Sequence, residues 1–120
     1  MSTFDITPRK VESVEILDLT GELDAHTAPV LEESITRLID EQKYNIIVNF
    51  TSLDYISSAG LGVFMAYIEE LRDLGGDIKL TNMKESVFNV FDLLGFPALY
   101  DILEEEQEAV RKFLNSNPQD

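Results

Sequence analysis

Two short segments hold most of the side chains that could do chemistry. Asp54-Tyr55-Ile56-Ser57-Ser58-Ala59-Gly60-Leu61-Gly62-Val63 sets two hydroxyls just ahead of two glycines, and Gly21-Glu22-Leu23-Asp24-Ala25-His26-Thr27 holds two carboxylates and the chain's single imidazole. A hydroxyl at the first turn of a helix faces unpaired backbone N–H groups and the positive end of the helix dipole. A phosphate attached there would be held without disrupting the fold. The same position also suits an ordinary N-cap serine. Gly60 and Gly62 have no side chains, which would let a large partner approach the turn closely. Glu22, Asp24 and Asp54 are expected to converge on the serine if both segments follow the carboxyl ends of strands, where functional residues of open α/β sheets collect. Taken singly, they are a cap and solvated charges.

Other chemistries fit less well. Ser58 with His26 would make a nucleophile and base, but the Gly-x-Ser-x-Gly elbow is absent. No Walker-type phosphate loop occurs, and Gly60-Leu61-Gly62 begins a dinucleotide-binding pattern that the residues around Tyr67 do not complete. Glu22, Asp24 and Asp54 satisfy Mg²⁺ on ligand type alone. The absence of cysteine excludes disulfides, thiolate chemistry and cysteine-based metal sites, and one histidine excludes a histidine-rich one. The sequence therefore points to a binding protein with no catalytic residue or metal site of its own.

Charge narrows the partners. Nine Lys and Arg against 23 Asp and Glu give a net charge of −14, which repels nucleic acid and anionic lipid. Acidity keeps such a chain in solution and also suits a face that meets a basic patch on another protein. The 120 residues, 44% hydrophobic, fit one domain over 1–120 with a real core. Residues 115–120 read as a frayed polar tail. No apolar run approaches the roughly 20 residues of a membrane span, and residues 1–10 lack a secretory apolar stretch. A cytoplasmic monomer is the expectation.

The elements that must position these residues follow from periodicity. Thr3–Ile6 and Val14–Thr20 alternate as half-exposed strands near a sheet edge, with Arg9-Lys10 as their hairpin turn. Ala28, Leu31, Ile35, Leu38 and Ile39 recur at helical spacing, with Thr27 as cap, Pro29 in the first turn, and Glu32 and Glu33 near the positive end. Asn45–Phe50 is the nearly continuous apolar run of a central parallel strand. A second helix follows Ser57-Ser58, with Leu61, Phe64, Met65, Ile68 and Leu71 inward, and stops at Gly75-Gly76, which supply left-handed conformations. Asp77–Thr81 is a strand; Val87, Val90, Phe91 and Leu94 mark a third helix closed by Gly95. The Phe96-Pro97 corner is expected to pack into the core, an extended piece lies around Tyr100–Ile102, and a last helix runs Glu104–Leu114 with Ala109, Val110 and Phe113 inward. The expected fold is α/β, a mixed, mainly parallel sheet of four to five strands with about four helices packed on it.

With Gly21-Glu22-Leu23-Asp24, an apolar strand, Tyr55-Ile56-Ser57-Ser58-Ala59-Gly60-Leu61-Gly62 and Gly75-Gly76 before a strand, the chain from Phe4 to Leu114 resembles the STAS domain. More narrowly, it resembles the bacterial anti-sigma factor antagonists. The resemblance implies a serine at the head of the second helix, here Ser58, phosphorylated by an anti-sigma factor that is also a serine kinase. It implies that the unphosphorylated antagonist binds the anti-sigma factor, that phosphorylation breaks the complex, and that a metal-dependent serine phosphatase restores it. The face implied is Glu22, Asp24, Asp54, Ser57, Ala59, Gly60, Leu61 and Gly62. Family members commonly have Asp just before the target serine and a hydroxyl residue just after it; Ser57 and Ala59 stand there in this chain, so Ser57 is the competing acceptor. The alternative implied is a STAS interaction or small-ligand-sensing module in another bacterial signalling pathway.

Overall fold

The computed structural model describes residues 4–115. In chain order the elements are β1 (Phe4–Val11), β2 (Val14–Leu23), α1 (Ala28–Asp40), β3 (Asn45–Ile56), α2 (Ser58–Asp73), β4 (Asp77–Thr81), α3 (Glu85–Leu93), a 3₁₀ turn (Phe96–Ala98), β5 (Ile102–Leu103) and α4 (Glu106–Asn115). The five strands form one sheet in sequence order. β1 is antiparallel to β2, and β2 through β5 run parallel. This is the mixed, mainly parallel sheet with four helices that the periodicity predicts.

Alternation along the strands divides the core. Leu17 and Leu19 of β2, Ile46, Val48 and Phe50 of β3, and Ile78 and Leu80 of β4 pack under α1, α2 and α3. Val14, Ile16 and Ile47 face the other way and meet Ala109 and Phe113 of α4. Ile46-Ile47-Val48 is thus buried on both sides, as its unbroken apolar run requires. Phe96 is buried, with its ring 5.1 Å from that of Phe91 in an edge-on contact, so the Phe96-Pro97 corner packs inward as expected.

Several local expectations are corrected. Arg9 and Lys10 lie within β1, and the turn is Glu12-Ser13, closed by the Val11–Val14 pair. Glu12 takes the left-handed conformation at φ 56°, which no glycine announces. β1 forms one edge of the sheet and β2 lies beside it, near the edge as expected. β3 runs on six residues past Phe50, so Asp54–Ile56 belong to a strand rather than a loop. Met65 points outward, 48% exposed, and so does Leu94. Glu32 and Glu33 fall beyond the first turn of α1. Of the two glycines after α2, only Gly75 is left-handed, at φ 93°. Asn115 ends α4, while Thr3 and residues 116–120 of the expected tail lie outside the described residues.

One polar network holds α4 to the sheet. The Arg9 guanidinium donates to Asp18 Oδ1 at 3.0 Å and to Glu106 Oε2 at 3.1 Å, and Asn49 Nδ2 donates to Glu106 Oε1 at 2.9 Å. The Arg9 hydrogen bond, opposed by burial and helped by the Asn49 amide, holds the Glu106 carboxyl below the usual carboxylate range. A group with a depressed folded pKa contributes stability above its unfolded pKa and loses it as pH falls through the folded value. Glu106→Gln should therefore lower stability by about 1 kcal/mol at pH 7. The gap to the unsubstituted protein should close as pH falls through the depressed Glu106 value, and urea unfolding at neutral and acid pH checks it.

Candidate functional site

The carboxyl ends of β2 and β3 project beyond β4. β3 pairs with β4 only from Asn45 to Asn49, while its pairing with β2 continues to Leu23–Ile56. β2 changes register between Asp18 and Thr20 and again between Gly21 and Glu22. Gly21, at φ 99°, supplies the left-handed backbone at the second irregularity. The result brings the two chemistry-bearing segments together: Ser57 N–H donates to Leu23 O at 2.9 Å.

At this junction the two adjacent serines take different roles. Ser57 is the N-cap of α2, half-buried, and its Oγ accepts from Gly60 N–H at 3.3 Å. Ser58 is the first helical residue and is exposed, and its hydroxyl makes no hydrogen bond among the described residues. Leu61 N–H bonds Ser57 O at 3.0 Å, which leaves the N–H groups of Ser58 and Ala59 as the open donors of the first turn. A negative group on Ser58 would meet those donors and the positive end of a 16-residue helix. Removing the cap with Ser57→Ala should cost about 1 kcal/mol, read as a lower urea midpoint.

The expected partner-binding residues separate on burial. Gly60 and Leu61 face the core. A Cβ on Gly60 would lie 2.8 Å from Leu23 Cγ and 3.0 Å from Leu23 O, so this glycine lets α2 sit against the end of β2 rather than opening a surface. Ala59 and Gly62 are exposed, and a Cβ on Gly62 would meet nothing within 4 Å. Met65, at helical spacing from Ser58 and Gly62, extends the same face. The surface beside Ser58 is therefore small and apolar. Sequence periodicity missed Met65 because an apolar residue beside Phe64 reads as core.

The carboxylates are more dispersed than a ring. Asp24 Oδ1 turns back on its own loop, accepting from His26 N–H at 2.9 Å and Thr27 N–H at 3.1 Å. Thr27 is the N-cap of α1, yet its hydroxyl donates to Glu22 O at 2.9 Å instead of capping the helix. Glu22 is exposed and lies opposite Tyr55 across the β2–β3 ribbon. Asp54 is ion-paired with Lys84, the residue ahead of α3. No group of three acidic or histidine side chains is placed to hold a metal among the described residues. His26 is exposed and makes no side-chain hydrogen bond to Ser58, so nothing holds it as a base. The arrangement suits recognition at an exposed helix head.

Comparison with known proteins agrees with this geometry. The model of the STAS domain matches residues 5–109. The anti-sigma-B factor antagonist of Bacillus subtilis is 32% identical over 95 residues, covering 79% of this chain and 86% of that protein. The anti-sigma factor antagonist SpoIIAA in its unphosphorylated form superposes with a TM-score of 0.79 at 26% identity, covering 92% of this chain and 97% of that one. The phosphorylated form of SpoIIAA from Bacillus gives 0.69 at 25% identity, covering 92% and 99%.

Proposed function

Because the chain belongs to the STAS domain family, we propose that it is an anti-sigma factor antagonist, a non-enzymatic binding switch controlled by phosphorylation of Ser58. The observation that carries this reading is the division of labour between the serines. Ser57 is occupied as the cap of α2, and Ser58 offers a free, exposed hydroxyl one residue later. A phosphate on Ser57 would displace the bond to Gly60 N–H; one on Ser58 would leave the cap intact.

In this scheme the unphosphorylated protein binds an anti-sigma factor through the exposed head of α2, with Ala59, Gly62 and Met65 beside Ser58. Glu22, Asp24 and Asp54 lie on the flanking ribbon and loop. The anti-sigma factor, a serine kinase, transfers phosphate from ATP to Ser58 and is released; a metal-dependent serine phosphatase resets the switch. The antagonist itself needs no cofactor. The protein acts as a monomeric single domain in the cytoplasm. No helix among the described residues is long and apolar enough to cross a membrane, and the charge of −14 opposes nucleic-acid binding.

Incubation with the anti-sigma kinase of the same organism and ATP, followed by peptide mass spectrometry, tests the assignment. One added phosphate is expected on Ser58, absent from Ser58→Ala and retained in Ser57→Ala. A phosphate on Ser57, or none, would overturn it.

A further inference from the structure

A second feature lies along the same carboxyl edge of the sheet, on the far side of β4. Met83, Phe88, Ile102 and Leu103 floor a cavity of about 400 Å³ whose remaining walls are Glu85 and Glu104. The four apolar residues are each partly exposed, and both carboxylate residues are exposed. Neither glutamate has an ion pair or side-chain hydrogen-bond partner among the described residues. The nearest cation in sequence, Lys84, is already taken by Asp54. The cavity thus has an apolar floor and two unneutralised negative walls.

We propose that this groove is a second anchoring point for the same partner, and that it receives an arginine side chain. The proposal rests on the antagonist reading. The complementarity is specific in kind. An aliphatic stem suits the Met83, Ile102 and Leu103 floor while the cation stays at the rim. A guanidinium is weakly hydrated, can take two carboxylates through its fork, and stacks on an aromatic face such as Phe88. A second copy of this chain, at −14, is disfavoured by repulsion. The groove is also linked to the Ser58 face. The Asp54–Lys84 ion pair joins the end of β3, next to Ser57-Ser58, to the start of α3, where Glu85 stands. A protein seated on the head of α2 can reach across that ion pair into the groove.

The test compares the affinity of the anti-sigma factor for four versions of the protein: unsubstituted, Glu85→Gln with Glu104→Gln, Asp73→Asn with Asp92→Asn, and Ser58→Asp. The second pair makes the same charge change at the opposite end of the sheet. Loss of the two rim charges should weaken the complex about 5- to 30-fold, and the Asp73/Asp92 pair less than twofold. Alongside, n-butylguanidinium is titrated into the isotope-labelled protein and followed by NMR. Saturable shifts are expected at Phe88 and Leu103 and should vanish in the double glutamine variant. An unchanged affinity in that variant, while Ser58→Asp releases the partner, would overturn the proposal, as would a probe that moves no groove resonance. If no complex forms, the antagonist reading fails. The probe alone then decides: shifts confined to the groove uphold an arginine site, and their absence ends it.

Discussion

Gly76→Ala should cost the fold about 3 kcal/mol or more. A Cβ built on Gly76 would stand 2.0 Å from Tyr44 O and 2.6 Å from the Tyr44 carbonyl carbon. These are backbone atoms, and they are not free to move. Asp77 N–H bonds that same oxygen at 3.0 Å, and Gly76 N–H bonds Leu71 O at 2.8 Å. Asn45 and Asp77, one residue further along each strand, open the β3–β4 ladder. Relief of the clash must either break the end of α2 or shift the register in which β4 begins. Gly62→Ala is the matched contrast. Its Cβ meets open space in the interior of α2, so it should stabilise the protein by about 0.5–1 kcal/mol. Urea unfolding of both variants is the check; a Gly76→Ala midpoint equal to the unsubstituted one would refute the account.

The two glycines also show what a sequence discloses. Gly75-Gly76 marks the end of a helix correctly, but letters cannot say that one glycine answers a conformational demand and the other a spatial one. The same ambiguity affects Gly60 and Gly62. Both are equally bare in the sequence, yet Gly60 is closed off by Leu23 and Ile56 while Gly62 faces solvent.

Where burial follows a simple period, the chain is legible. Asn45–Phe50 announces a strand buried on both faces, and the 3.6-residue repeats find α1 and α3. The continuation of β3 is hidden because Thr51, Ser52, Asp54 and Tyr55 project past β4 as a ribbon and are exposed. The first hairpin is hidden for a related reason. Arg9 reads as turn material, but its guanidinium is engaged across the sheet with Asp18 and Glu106, and the left-handed residue of the turn is a glutamate. At the site, the position of the serine pair is readable from the strand–helix pattern. Which serine caps and which is free is not, since that depends on the direction in which each hydroxyl leaves the first turn. The acidic groove is invisible for another reason: Met83 and Phe88 meet Leu103 only through the fold, and each alone resembles a core residue.

A negative charge at Ser58 should release the partner by about 5- to 150-fold, whether introduced by phosphorylation or, at the lower end, by Ser58→Asp. A phosphoserine carries about −1.5 to −2 charges at neutral pH. At about 6 Å from one partner carboxylate, with an effective dielectric near 20, each unit of like charge costs roughly 3 kcal/mol. Solvent screening at an exposed residue lowers the total to about 1–3 kcal/mol. That span is the stated range of affinity, and it switches occupancy when partner concentration lies between the two dissociation constants. The helix does not oppose the modification. The open N–H groups of Ser58 and Ala59 and the dipole of α2 favour it, so the antagonist should keep its fold and its unfolding midpoint when phosphorylated. The penalty then falls on the interface, where the small, apolar surface of Ala59, Gly62 and Met65 offers no cation to a dianion taken out of water. Two signatures separate this from a merely structural effect. Ser58→Ala should keep the fold and bind as the unsubstituted protein does, because the hydroxyl has no internal partner to lose among the described residues and the substitution adds no charge. Ser57→Asp should shift the urea midpoint, because it disturbs the cap at Gly60. Isothermal titration with the anti-sigma factor at two salt concentrations completes the argument: release by Ser58→Asp should shrink as ionic strength rises, and a salt-independent loss would point to steric exclusion instead.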